Sequence, residues 1–162
     1  MLSSTVQDAM NQQVNAELYS AYLYLSMAAE FEEENLRGMA HWMQIQAKEE
    51  AGHALKFFKH IAERGGRVTL TAIAAPPTKW DSPQAVFEAV YKHECHVSSL
   101  INKLVELAGA EKDHASAVFL QWFVNEQVEE EANASEILHQ LKMVGDSKQG
   151  LFMLDRHLAQ RQ

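Results

Sequence analysis

Four glutamates and one histidine interrupt otherwise apolar patterns in this sequence, and they are the side chains best suited to chemistry. Read at three- and four-residue spacing, each long segment shows one mainly apolar stripe with a carboxylate near its middle. The interrupting residues are Glu17, Glu50, Glu94 and Glu130, and His53 follows Glu50 by one turn. Ionised carboxylates that converge in a core repel one another, so we expect a positive species between them. Oxygen donors with a single imidazole favour iron or manganese, with zinc as a competitor, and a shared Glu50 would make the site dinuclear.

The elements that must position these groups are long helices. In the first half of the chain, Ser4 with Gln7 is typical of a capping box, Asn35 is suited to a left-handed turn, and Gly65-Gly66 is a stop signal. No strand pattern competes with the helical spacing. These signals predict two helices at roughly 5–34 and 36–64.

Similar signals divide the second half. Ser82 precedes Pro83 at a helix start, Gly109 is expected to end that helix, Asp113 caps the next one, and Gly145 closes it. The predicted helices run at roughly 83–109 and 114–144, and a short fifth helix follows at roughly 147–159.

The connection between the second and third helices is much longer than the others. Residues 65–82 can reach up to about 60 Å when extended, which exceeds the roughly 40 Å length of a 28-residue helix. The other connections are short and force antiparallel hairpins. The sequence therefore predicts an all-α fold in one domain, 1–162: a four-helix bundle with one long crossover and a short fifth C-terminal helix.

A lone glutamate in the middle of a helix usually lies on a solvated face, and each of the four allows that interpretation. Their heights favour the other one. At about 1.5 Å per residue, counting from the helix ends places all four carboxylates within about one turn of a common level. Four coincident interruptions at one height indicate a buried site.

Composition excludes several classes of protein. The 162 residues contain 14 Lys and Arg against 22 Asp and Glu, a net charge of −8, which disfavours nucleic acid and anionic lipid as partners. The single Cys95 excludes an internal disulfide and a four-cysteine zinc or rubredoxin-type site. No segment is typical of a signal peptide or a membrane span, so we expect a cytoplasmic protein.

Three further features have more than one interpretation. Tyr24 lies two turns beyond the first glutamate, where it fits equally a packed core tyrosine and a partner of a ligand carboxylate or an electron donor. Trp122 is better explained by packing than by redox chemistry. Residues 93–96, His-Glu-Cys-His, look like a metal cluster, but consecutive helical residues diverge by about 100°, so Cys95 and both histidines are interpreted as structural or surface residues.

Four segments together resemble the ferritin family, and within it the bacterial non-haem ferritins, across essentially the whole chain. They are NAELYSAYLYL at 15–25, KEEAGH at 48–53, HE at 93–94 and NEQVEEE at 125–131. The ferritin-like fold implied is the helical bundle described above. The implied function is iron storage and detoxification, with ferroxidase activity that oxidises Fe(II) to Fe(III) by dioxygen or hydrogen peroxide. Ferric mineral would be stored in a hollow homo-oligomeric shell of 24 subunits.

The same resemblance implies a di-iron ferroxidase centre within each subunit. The first iron would be bound by Glu17, Glu50 and His53, and the second by Glu50, Glu94 and Glu130. Gln127 would lie close enough to bond a water or dioxygen on the iron.

The chain departs from related patterns at several positions. Bacterioferritins carry a second Glu-x-x-His, where this chain has Gln127 and Glu130, so the second site would be all-carboxylate. They also place a haem-ligating Met where this chain has Ala51, so no haem is expected. Animal ferritins line iron channels with acidic residues at positions that here are Ala117 and Leu120, so the sequence does not indicate where iron enters.

A third metal site is also predicted next to the centre. Glu49, Glu126 and Glu129 lie off the central stripes, yet each neighbours a predicted ligand, and Glu130 would be shared. The alternative is a solvated acidic face of the fourth helix. The resemblance to bacterial ferritins, in which such a third site occurs, favours metal.

The fifth helix carries an apolar face of Leu151, Leu154 and Leu158. A bundle core that four helices already close has no place for it. The face would need neighbouring subunits or a groove at the bundle end, and the first option supports assembly.

Other functions compete with ferroxidase and iron storage. A di-iron redox enzyme of the rubrerythrin or oxygenase class would act on peroxide or an organic substrate, although rubrerythrins need rubredoxin cysteines that this chain lacks. A DNA-protecting mini-ferritin would place its ligands between subunits and lack the fifth helix. A purely structural bundle would have no reason to bury carboxylates.

Overall fold

The structure, a computed structural model, describes residues 2–162 and consists of five helices. They are α1 (Ser4–Glu33), α2 (Arg37–Glu63), α3 (Pro83–Ala110), α4 (His114–Val144) and α5 (Lys148–Leu158). Each boundary lies within one residue of the position that the sequence pattern indicates. Within residues 2–162, no helix is both long enough and apolar enough to span a membrane.

The start of α1 differs in detail from the expected capping box. The cap is Ser3 rather than Ser4, because the Ser3 hydroxyl accepts a hydrogen bond from the Val6 backbone N–H at 3.3 Å. Gln7 does not reach back to the cap. Its side-chain oxygen instead accepts from the backbone N–H of Arg67, 2.8 Å away, and so holds the crossover segment.

The end of α3 also lies elsewhere than predicted. The helix continues through Gly109 to Ala110, and the left-handed residue that turns the chain is Lys112, with φ 55°. Left-handed backbone occurs where expected at Asn35, with φ 59°, and at Gly65, with φ 74°. The predicted caps Ser82 and Asp113 both accept hydrogen bonds from their helices.

The four long helices form two antiparallel hairpins, α1 with α2 and α3 with α4. The crossover between them runs the full height of the bundle, along α1. Asn11 accepts from the Thr69 backbone N–H at 2.8 Å, and farther along α1 the Ser26 hydroxyl donates to the Pro77 carbonyl at 2.6 Å. Lys79 then pairs with Glu33 at 2.8 Å, at the last residue of the helix. The predicted topology with one long crossover is thus confirmed.

The core is divided into two apolar clusters by a layer of polar residues. One cluster contains Phe31, Met39 and Phe87, and the other contains Met10, Phe57 and Ile101. Along each long helix, buried polar residues separate the two clusters. They are Gln13, Glu17, Gln46, Glu50, His53, Glu94, Gln127 and Glu130.

Of the two options for the apolar face of α5, the structure shows the groove at the bundle end, so this face is covered within its own chain and does not by itself argue for assembly. Leu154 and Leu158 are buried in the cluster at that end. The Asp155 carboxylate accepts a hydrogen bond from the Met39 backbone N–H at 2.8 Å and so caps α2. The N-cap residue of α2 itself, Leu36, makes no side-chain hydrogen bond to the helix. Gly38 permits this close approach, since a Cβ there would lie 1.7 Å from the Asp155 carbonyl oxygen.

Candidate metal centre

Three predicted ligands come together where α1 faces α2. Glu17, Glu50 and His53 each offer a ligand atom, these atoms lie within 4.8 Å of one another, and all three residues are buried. Glu50 and His53 are one turn apart on α2, which places Glu50 Oε2 at 3.3 Å from His53 Nδ1. Two carboxylates and one imidazole form a nitrogen and oxygen donor set suited to a divalent transition metal.

Each of two carboxylates in the layer is held by a glutamine that sequence reasoning left without a role. Gln13 donates to Glu17 Oε1 at 2.8 Å, and Gln46 donates to Glu130 Oε2 at 2.5 Å. Gln13 precedes its partner by four residues, so that contact could have been found from helical spacing. Gln46 and Glu130 belong to different helices, so their pairing depends on how α2 packs against α4.

A second group of contacts surrounds Glu94 on α3. The Tyr24 phenol donates to Glu94 Oε1, and its ring is buried in the apolar core, so Tyr24 is both a packed core tyrosine and the partner of a predicted ligand. Gln127 Nε2 donates to Glu94 Oε2 at 3.2 Å and lies at 3.3 Å from the Ser98 hydroxyl oxygen. Its amide therefore holds a carboxylate in this structure.

Burial raises the pKa values of the four carboxyl groups in this layer, so they hold their protons at a higher pH than ordinary carboxyl groups do. Burial and the charge of Glu50 raise the pKa of Glu17 well above its usual value, and burial and the charge of Glu94 do the same at Glu50. Burial also raises the pKa of Glu94, and raises that of Glu130 to about 7. The expected requirement for a positive species is thus only partly correct, because protonation can relieve the repulsion when metal is absent.

Two buried oxygen atoms in this layer fit a bound cation. Glu17 Oε2 and Gln46 Oε1 are both buried without a hydrogen-bond partner. A buried acceptor without a donor is costly, and a metal ion supplies the missing positive charge. Glu94 and Glu130 lie outside the 4.8 Å group, although their charges act on Glu50. The donor set of Glu17, Glu50 and His53 can therefore hold one cation, and the charges of two further carboxylates act on it.

The three glutamates of the predicted third metal site, Glu49, Glu126 and Glu129, are not grouped as closely as the ligands of the centre. Within residues 2–162, they do not form a group with mutual distances under 4.8 Å. Glu126 Oε1 lies 3.7 Å from His53 Nε2, Glu49 pairs with Arg161 at 2.6 Å, and Glu129 is exposed. Glu126 is thus adjacent to the centre, whereas Glu49 already has a cationic partner.

Comparison with known protein families shows to which family the chain belongs. The family model described as "Ferritin-like domain" matches residues 7–144 of the chain. The chain belongs to the ferritin family.

Relatives of this ferritin chain align over nearly its whole length. A bacterial non-heme ferritin of Bacteroides fragilis is 48% identical over 161 residues, covering 99% of this chain and 100% of the relative. A probable bacterial non-heme ferritin-like protein of Haemophilus influenzae is 40% identical, covering 98% and 96%. A crystal structure of an open pore ferritin from Archaeoglobus fulgidus has a TM-score of 0.99 at 51% identity, covering 100% of both chains.

The remaining sequence candidates of this ferritin are packed apart from the Glu17 group or at its edge. Trp122 lies edge-on to His53, with ring centroids 5.3 Å apart, and the Lys56 ammonium lies 3.1 Å above its ring. His93 bonds the Ser20 hydroxyl at 2.8 Å, and burial lowers its pKa to about 4. Neither Cys95 nor His96 belongs to the described metal-ligand group.

Proposed function

We propose that this ferritin chain oxidises Fe(II) at a di-iron centre within each subunit and stores the ferric product as mineral in a hollow shell. The observation that carries the proposal is the buried group of Glu17, Glu50 and His53, with ligand atoms within 4.8 Å of one another in the middle of the bundle. All three residues come from one chain. This favours a centre inside the subunit over one between subunits, as a mini-ferritin would have.

The proposed first iron site comprises Glu17, Glu50 and His53, and the proposed second site comprises Glu50, Glu94 and Glu130. Support for the second site comes from the charges of Glu94 and Glu130, which both act on Glu50. With only carboxylates as protein ligands, it is expected to bind Fe(II) more weakly than the site with an imidazole. No haem is proposed.

The electrons and protons of the proposed oxidation balance with either oxidant. Two Fe(II) ions give up one electron each, and dioxygen accepts both with two protons to form hydrogen peroxide. Hydrogen peroxide as the oxidant accepts two electrons and two protons to form two waters. The carboxyl groups of the centre, whose pKa values are raised, release protons as Fe(II) binds.

The positioning residues act through the carboxylates. Gln13 and Gln46 donate to oxygens of Glu17 and Glu130 and orient them. Such partners of metal ligands control orientation and affinity. Gln127 now donates to Glu94, and we propose that it turns to water or dioxygen once that carboxylate binds iron.

Stopped-flow oxidation at two Fe(II) per subunit tests the centre. We expect His53→Ala and Glu130→Ala each to slow the initial rate by about 10- to 100-fold, while the variants still assemble. His96→Ala is the matched control, because it removes an exposed histidine outside the group. If both site variants kept the wild-type initial rate, the assignment of these residues to the di-iron centre would be refuted.

A third iron site at Glu49, Glu126 and Glu129 is a separate proposal. Its support is the position of Glu126, 3.7 Å from His53 Nε2, and the action of the Glu49 charge on Glu50 and Glu130. As an all-carboxylate site it should bind more weakly than the first site and alter the iron-to-oxygen ratio. A triple alanine variant that keeps three irons per subunit and unchanged oxygen uptake would identify these residues as a solvated face.

The proposed assembly is a shell of 24 copies. Support comes from the full-length similarity to ferritins, including the archaeal one described as open pore. Exposed apolar side chains at the α5 end, Phe152 and Met153, offer contact surface to other copies. Light scattering after size exclusion should give a particle of several hundred kilodaltons, and a stable monomer or dodecamer would contradict it.

A further inference from the structure

The C-terminal tail lies against the part of α2 that carries Glu49, and Arg161 makes the contacts. Arg161 Nη2 donates to Glu49 Oε2 at 2.6 Å, and its guanidinium Cζ lies 4.4 Å from the centroid of the Trp42 ring. Its backbone carbonyl oxygen accepts from His41 Nε2 at 2.8 Å. One residue thus fastens the tail across about two turns of the helix.

The docking of α5 delivers Arg161 to this place. Asp155 caps the start of α2, and the chain turns tightly after Leu158, where the Gln160 backbone N–H bonds the His157 carbonyl at 3.1 Å. The Arg161 side chain is 19% exposed and that of Glu49 is 41% exposed, so the pair lies at the surface of the subunit. An ion or a solvent molecule can therefore reach Glu49.

The pair is also imperfect as a structural contact. Arg161 Nη1 is buried and has no hydrogen-bond partner. A guanidinium that leaves a donor unsatisfied regains a hydrogen bond when it returns to water, which favours release. Glu49 in turn acts on the centre, because its charge raises the pKa of both Glu50 and Glu130.

We propose that Arg161 is a displaceable counter-ion of Glu49, so that a divalent cation at the outer site replaces the guanidinium and releases the C-terminal tail from α2. This inference rests on the outer site proposed above. The guanidinium 2.6 Å from Glu49 Oε2 repels a cation brought to the same carboxylate, so the two positive groups compete for Glu49. By linkage, the loss of Arg161 must tighten cation binding at Glu49, and cation binding must loosen the tail.

Calorimetric titration of the metal-free assembled protein with Zn(II), which is redox-silent, measures the first consequence. We expect Arg161→Ala to bind the weakest class of Zn(II) about two- to fivefold more tightly than wild type, the range for loss of a competing surface ion pair. Arg156→Ala is the matched control, because Arg156 lies on α5 near the Phe152 ring and is exposed. It should leave every class of site unchanged.

Hydrogen–deuterium exchange of the C-terminal peptide measures the second consequence without reference to activity. In wild type, exchange of residues 159–162 should rise as the weak Zn(II) class fills. In Arg161→Ala it should be fast already and independent of Zn(II). Glu49→Gln removes the charge that the cation needs, so Zn(II) should no longer change exchange of the tail.

The outcomes separate this inference from the outer site itself. Three Zn(II) per subunit, with tail exchange and the Arg161→Ala affinity both unchanged, would overturn the counter-ion role and leave the outer site standing. Two Zn(II) per subunit in both wild type and Arg161→Ala would refute the outer site, and the counter-ion proposal with it.

Discussion

Replacing Glu130 by glutamine should stabilise the metal-free protein at alkaline pH and have little effect at acidic pH. Burial, with the charge of Glu94 as the next cause, raises the pKa of Glu130 from 4.5 to about 7. Glutamine is close in shape to the protonated acid and remains an acceptor for the Gln46 amide, which now donates to Glu130 at 2.5 Å. Glu130→Gln therefore removes the titration and keeps the contact.

The sign and size follow from linkage. Because the folded-state pKa is raised, the favourable contribution of Glu130 is fully present below about pH 4.5 and is lost as the pH rises through about 7. A difference of about 2.5 pKa units corresponds to about 3 kcal/mol at pH 8. The variant should then unfold at a temperature higher by about 6–12 °C at pH 8, but by no more than about 3 °C at pH 5.

The assay is thermal unfolding of chelator-treated protein at both pH values and at one protein concentration, since assembly makes the midpoint concentration-dependent. Glu106→Gln is the control, because Glu106 is an exposed glutamate on α3, and it should change stability by less than about 0.5 kcal/mol at either pH. Added Zn(II) should stabilise wild type more than Glu130→Gln, since the variant lacks a carboxylate. A shift of equal size at both pH values, or a less stable variant at pH 8, would refute the reasoning.

Three further outcomes are expected. In thermal unfolding, Gly38→Ala should lower the free energy of unfolding by about 1–3 kcal/mol, because its Cβ would meet a backbone carbonyl oxygen of α5 at 1.7 Å. Gly52→Ala is the control: a Cβ there has nothing within 4 Å, so this variant should be neutral or more stable by up to about 1 kcal/mol. Tyr24→Phe keeps the packed ring but removes the donor to Glu94, and should weaken anaerobic metal binding by about 10- to 100-fold; unchanged binding would show that the phenol does not position the carboxylate. Metal binding should release protons and weaken as the pH falls below about 7, because protons and metal compete for the carboxylates; calorimetry in buffers of different ionisation enthalpy would detect no proton release if they are already ionised.

Local signals in the sequence determined the helices and the level of the polar layer. Caps such as Ser82 and Asp113, and the left-handed Asn35, act on residues within one turn of themselves, so their effect is readable without tertiary structure. The prediction is wrong where more than one nearby residue can take a local role: Ser3 and not Ser4 caps α1, and Lys112 and not Gly109 turns the chain after α3. The apolar spacing also identified the interrupting carboxylates, because burial on one helix face is periodic.

The tertiary structure decided which polar groups meet and which carry a proton. Gln46 and Glu130, Asp155 and the Met39 backbone, and Arg161 and Glu49 are separated by 84, 116 and 112 residues, and no helical period links them. The pKa of a carboxyl group depends on its desolvation and on charges from other helices, which exist only once the bundle has closed. For the same reason the sequence could place α5 as a helix but could not show that it closes its own bundle end and carries Arg161 to the edge of the candidate metal centre.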